Sequence, residues 1–162
     1  MKLLTLVRHA KSSWDYAELN DFERPLNERG RRDAPIMAER ARRMLGHPDR
    51  LVSSPALRAI TTAHVFAEAF GMPRDEIELQ PRIYEAAPDA LLRIVRELAD
   101  SDDHVMLFGH NPGFSELARL LAQCGFDEMP TCALVQLEIN VSSWKDATPG
   151  CGLLRQYSYP KQ

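Results

Sequence analysis

Apolar residues in this chain gather in short runs that alternate with longer stretches of helical periodicity. The first run, Leu3-Leu4-Thr5-Leu6-Val7, has the pattern of a buried strand and stops at Arg8-His9. From Ala10 to Asn27 the chain is polar and aperiodic, which predicts a long loop, and long loops in compact domains are often functional. Asn27 followed by Glu28 predicts a helix cap and first turn. The helix beyond is expected to turn Ile36, Met37, Ala41, Met44 and Leu45 inward and Glu39, Arg40, Arg42 and Arg43 outward. Pro35 should kink it or restart it near Asp33.

Arg50-Leu51-Val52-Ser53 predicts a second strand, and Ser54-Pro55 a cap and first helical position for a helix to about Phe70, ending at Gly71. Ile77-Glu78-Leu79 is a brief strand, and Pro88 opens a helix through Leu98. His104-Val105-Met106-Leu107-Phe108-Gly109 is another buried strand, with a helix from Pro112 or Gly113 to about Gln123. Ala133 to Ile139 and Gly152 to Tyr159 are late strands, the second at an edge, and this pair can run antiparallel. Strands alternating with helices predict an α/β three-layer sandwich, its mostly parallel central sheet flanked by helices, as one domain over residues 1–162.

Composition narrows the function classes. With 44% hydrophobic and 27% charged residues the chain is an ordinary folded domain. A net charge of −3 argues against nucleic acid as a partner, since such binding needs a basic surface. The opening apolar stretch is cut short by Arg8 and His9, too soon for a signal-peptide core or a membrane span. Three cysteines without CxxC spacing predict neither a disulfide framework nor a zinc site, and a cytoplasmic protein is expected.

The chemistry lies at the strand ends. Arg8-His9 and His110 each terminate an apolar strand, and in open α/β sheets ligands bind at the carboxyl ends of strands. The two histidines converge only if their strands are neighbours. Arg58 falls in the first turn of a helix, where backbone N–H groups favour anions and a guanidinium adds a planar fork for phosphate. The pocket so formed is electropositive, with no acidic residue in the three contributing segments except Asp15 at an edge. It suits a dianionic phosphoryl group. A neutral imidazole can attack phosphorus and split one hard displacement into two, while a second, protonated histidine stabilises the equatorial oxygens. No metal or cofactor is required.

Leu6-Val7-Arg8-His9-Ala10, Ser53-Ser54-Pro55-Ala56-Leu57-Arg58-Ala59 and Gly109-His110-Asn111-Pro112-Gly113 together resemble the histidine phosphatase superfamily. The small size and Arg24-Pro25-Leu26-Asn27-Glu28-Arg29-Gly30 look most like its SixA branch of phosphohistidine phosphatases. The resemblance implies a phosphoglycerate mutase-like fold, with His9 as the phosphorylated nucleophile and Arg8, Arg58 and His110 as the phosphate pocket. It also implies that Arg24 reaches the phosphate or substrate from the long loop. Glu85 falls where many members of the superfamily place a general acid. Two departures stand out. Ala10 replaces the usual Gly after the nucleophile, and Lys11 and Asp15 differ from the mutase branch, which counts against mutase activity.

The expected function is therefore dephosphorylation through a phosphohistidine intermediate, with protein phosphohistidine as substrate and a monomeric enzyme. The alternatives are a small-molecule phosphomonoesterase on the same scaffold and a phosphoprotein-binding regulator without turnover. A binder would have no need of the nucleophile. His47, His64 and His104 are expected to be structural, and the arginines around Arg29–Arg32 and Arg40–Arg43 a solvated helix face or a dock for an acidic partner.

Overall fold

A computed structural model describes residues 1–161. Its strands are β1 (Lys2–Arg8), β2 (Arg50–Ser53), β3 (Glu78–Leu79), β4 (His104–Gly109), β5 (Leu134–Ile139) and β6 (Gly152–Ser158). The helices are α1 (Glu28–Leu45), α2 (Leu57–Phe70), α3 (Pro88–Arg96) and α4 (Gly113–Leu121). All strands join one six-stranded sheet in the order β3-β2-β4-β1-β5-β6. β1, β2, β3 and β4 run parallel, β5 is antiparallel to β1, and β6 is antiparallel to β5. None of the described helices is long and apolar enough to cross a membrane.

Alternation along the strands divides the core in two. Leu4 and Leu6 of β1 face a cluster with Leu91, Val95, Leu117 and Leu121 of α3 and α4. Val7, on the other face, joins Met37, Ala41, Phe66 and Ala67 of α1 and α2. Residues i and i+2 of a strand share a face, so this alternation produces the three layers.

α1 departs from expectation. It is one helix of 18 residues that passes through Pro35 without a break. Its contact with the sheet is made by small residues, Ala34, Ala38 and Ala41, together with Met37 and Leu45. Ile36 and Met44 stay exposed at 49% and 38%. Close helix packing on those alanines fixes which face turns inward, and the larger apolar side chains are left outside. Arg40 is also only partly exposed. It donates from Nη1 to Ser158 Oγ and the Tyr159 carbonyl, tying α1 to the end of β6. The other arginines of this face are engaged locally, Arg42 and Arg43 with Glu39, and Arg29 and Arg32 with Asp33.

α2 is capped at Ala56 without a side-chain hydrogen bond, so Ser54 does not cap it as expected. Gly71 closes it in the left-handed conformation that glycine adopts freely. His104 is buried at the start of β4, where Nε2 meets Thr5 Oγ1 at 2.9 Å, a structural placement as expected.

Candidate active site

Register places the two histidines side by side. β1 pairs with β4 in parallel with Arg8 opposite Gly109, so His9 and His110 each lie one residue beyond a strand end. The His9 N–H donates to the Gly109 carbonyl (3.0 Å), extending the ladder. The imidazole rings have centroids 5.3 Å apart. β2 lies on the other side of β4, and Ser54 N–H donates to the Phe108 carbonyl, which brings the start of α2 and Arg58 to the same end of the sheet. A cleft of about 430 Å³ opens there, lined by Arg8, His9, Arg24, Arg58 and His110, with Lys11, Trp14, Asp21, Tyr84 and Glu85 among the remaining wall residues.

A hydrogen bond sets the His9 tautomer. His9 Nδ1 lies 2.7 Å from the Ala10 carbonyl, an acceptor only, so Nδ1 carries the proton and Nε2 keeps its lone pair. Burial pushes the His9 pKa down to about 3, against the hydrogen bond to Ala10, with the charges of His110, Arg58 and Arg8 acting in the same direction as burial. The ring is therefore neutral across the physiological range. Ala10 takes no left-handed conformation, so its methyl needs no glycine. Its N–H donates to Thr62 Oγ1 (3.0 Å), whose hydroxyl donates to the Arg58 carbonyl (2.8 Å).

His110 Nε2 lies 2.8 Å from Ser54 Oγ. That hydroxyl accepts from Ala56 N–H and can donate its own proton to Nε2, and in that tautomer Nδ1 is the N–H donor. Burial, followed by the charge of Arg58, lowers the His110 pKa to about 4. At that value His110 is neutral near pH 7 and serves as a hydrogen-bonding group. The reason is desolvation beside guanidinium groups, and a bound dianion would reverse the local sign of charge.

Arg8 is held through Nη1 by the Met129 carbonyl (2.8 Å), which also accepts from Asn111 Nδ2 (2.9 Å). Asn111 Oδ1 in turn accepts from Ser115 Oγ (2.8 Å), and Ser115 Oγ from Met129 N–H (2.8 Å). This arrangement explains the Asn in His110-Asn111-Pro112-Gly113, and it recruits a Met129 loop with no signal in the sequence. Arg24 is buried against Ser12 Oγ, the Ser13 carbonyl and Asp21 Oδ1, with the exposed Trp14 ring 3.5 Å from its Cζ. Glu85 lines the cleft from an exposed turn, with φ at 57°.

A carboxylate occupies this electropositive site. Asp21, on a short turn of the long loop, accepts from Arg58, Arg24 and Tyr84. Asp15 is not among the residues that line the cleft. The three segments that end strands or open α2 bring no acid of their own to the cleft, whereas Asp21 arrives by a return of the long loop. Burial would raise its pKa, but hydrogen bonds from Tyr84, Arg58 and Arg24 and the charge of Arg58 outweigh that and hold it at about 2.

Three buried side-chain nitrogens lack any partner among the described residues: Arg8 Nε, Arg58 Nε and His110 Nδ1. Buried donors are normally satisfied, and all three belong to residues of this cleft. They suit an anionic ligand.

Comparison with known proteins places this architecture. Residues 4–91 match the model of the histidine phosphatase superfamily, branch 1. The chain belongs to that superfamily. An uncharacterized protein of Mycobacterium tuberculosis is 30% identical, with 96% of this chain and 100% of that protein covered. A candidate phosphohistidine phosphatase SixA from Agrobacterium tumefaciens has a TM-score of 0.80 at 27% identity, covering 98% of each chain. A protein histidine phosphatase SixA complexed with tungstate has a TM-score of 0.82 at 20% identity, covering 98% of this chain and 97% of that one. The superfamily assignment agrees with the segments around Arg8-His9 and Arg58. His110 lies beyond the matched residues and joins the site by the β1–β4 register.

Proposed function

We propose that this chain is a phosphatase that takes the phosphoryl group onto His9 and acts on phosphohistidine carried by a protein. The observation that carries the reading is the coincidence of a free His9 Nε2 with three unpartnered donors on Arg8, Arg58 and His110. An oxyanion seated there gives those donors partners and presents phosphorus to the imidazole.

In the first step the Nε2 lone pair forms a bond to phosphorus as the bond to the leaving group breaks with its electron pair. A phosphohistidine whose ring already carries a proton on its other nitrogen departs as a neutral imidazole. In the second step water attacks the His9 phosphoimidazole, giving inorganic phosphate and restoring neutral His9. The guanidinium groups and His110 act on the equatorial oxygens, where fixed, preorganised donors stabilise the developing charge. The cleft supports a macromolecular substrate because exposed side chains such as Trp14, at 73%, form its rim. The likeness to the candidate phosphohistidine phosphatase SixA from Agrobacterium tumefaciens points the same way.

Glu85 favours a second reading. A carboxylate at the cleft wall could protonate an alkoxide leaving group, which phosphomonoester hydrolysis needs and phosphohistidine hydrolysis does not. The deciding experiment is a side-by-side assay of a histidine-phosphorylated protein and a panel of phosphomonoesters. Protein phosphohistidine should give the highest kcat/KM. A preference for small monoesters would replace the first reading with the second.

A further inference from the structure

The phosphatase reading leaves Asp21 in the cleft without a part in the chemistry. Its oxygens collect donors from three separate segments. Arg58 of α2 gives Nη2 to Oδ2 (2.9 Å) and Nη1 to the backbone carbonyl (2.6 Å). The Tyr84 hydroxyl donates to Oδ2 (2.6 Å), and Arg24 Nε to Oδ1 (3.2 Å). The turn itself is held by Asn20, whose side chain accepts from Glu23 N–H. Phe22 packs edge-on against the Tyr84 ring with centroids 5.1 Å apart, so loop and turn are also joined by an apolar contact.

A guanidinium has five N–H donors in a rigid plane. Asp21 engages one hydrogen on each terminal nitrogen of Arg58, which fixes that plane and leaves Nε–H and the second terminal hydrogens for another anion. It also sits between two cations, Arg58 and Arg24, that would otherwise repel each other. We propose that Asp21 is a positioning residue: it holds the Arg58 guanidinium in the orientation that meets the phosphoryl oxygens and couples that orientation to the Tyr84–Glu85 turn. This rests on the phosphatase reading of the site. The competing effect is its charge, since a carboxylate near a dianion opposes binding. The two effects have opposite signs, so experiment separates them.

The test uses the full chain with Asp21→Asn, Asp21→Ala and Tyr84→Phe, alone and combined with Arg58→Lys. Inorganic phosphate binding is measured by calorimetry, and kcat and KM on a histidine-phosphorylated protein. Deleting an anion donor outright costs roughly 10²–10³-fold in kcat. Asp21→Ala leaves Arg58 in place and should cost less, about 10-fold in kcat and in phosphate affinity, with Asp21→Asn intermediate. In the Arg58→Lys background the same substitution should cost almost nothing further, because its effect passes through the guanidinium. Tighter phosphate binding in Asp21→Ala, or losses that add in the double variant, would overturn the proposal. The phosphate-binding cycle needs no turnover, so it still reads Asp21 if phosphohistidine proves not to be the substrate. Asp21 lies on an exposed turn, and Asp21→Asn and Tyr84→Phe preserve shape should Asp21→Ala fail to fold.

Discussion

Gly30 lies so close to Lys11 that a Cβ there would meet the Lys11 carbonyl oxygen at 2.1 Å. The same carbonyl accepts from Asn27 N–H (2.9 Å), and Asn27 Oδ1 caps α1 by accepting from Gly30 N–H (2.8 Å). The first turn of α1 thus braces the backbone just past His9. Gly30→Ala should cost about 1–3 kcal/mol, the usual range for overpacking, and lower kcat/KM because the relief must come from Lys11. Urea unfolding and steady-state kinetics test this. A variant of unchanged stability would show that the contact opens freely.

His9→Ala should abolish turnover while the thermal transition stays close to that of the parent. The side chain stands at the cleft wall and makes a single hydrogen bond, to its own neighbour's carbonyl. Brief exposure of the parent protein to a phosphorylated substrate should leave acid-labile, base-stable phosphate on His9. Retained activity in His9→Ala would require a different nucleophile.

Glu85→Gln discriminates between leaving groups. General acid catalysis is typically worth about 10²–10⁴-fold, so hydrolysis of alkyl phosphomonoesters should fall by that order. Phosphohistidine hydrolysis should change little, because its imidazole can leave with its own proton. Equal losses on both substrates would assign Glu85 a role in holding the cleft.

Acid should destabilise the fold through its imidazoles. The pKa of His9 lies at about 3 and those of His104 and His110 at about 4, in each case chiefly through burial. Unfolded histidine titrates near 6.5. Between those values the unfolded chain binds more protons than the native one, so stability is full above about pH 6.5 and declines as pH falls toward 4. Urea midpoints measured from pH 7.5 to 4.5 should show this decline. Saturating phosphate should offset the His9 and His110 contributions but not that of His104, which is buried beside Thr5 at the far end of the sheet. Imidazole NMR titrations that place all three at ordinary values would refute the prediction.

The strand ends were legible because they carry the strongest local signal, an apolar run stopping at charged or polar residues, and Arg8, His9 and His110 lie there. Arg58 was legible from its place in a helix start. Asp21 was not, because Asn20-Asp21-Phe22-Glu23 is an ordinary turn sequence whose partners, Arg58 and Tyr84, are 37 and 63 residues away. Met129 is a similar case, since its carbonyl holds Arg8 across 121 residues. The inward face of α1 misled for another reason. Apolar size favoured Ile36 and Met44, yet close packing selects alanine.

The Thr62 hydroxyl bridges the Arg58 carbonyl and Ala10 N–H, while the β1–β4 ladder sets His9 against His110. The floor of the cleft is thereby dimensioned by the β1–β4 main-chain ladder and the Thr62 bridge. Trp14 and Tyr84 stand on separate connections that contribute nothing to those bonds. Insertions or exchanges in these connections can accordingly reshape the mouth while the spacing of the two imidazoles stays as the sheet dictates.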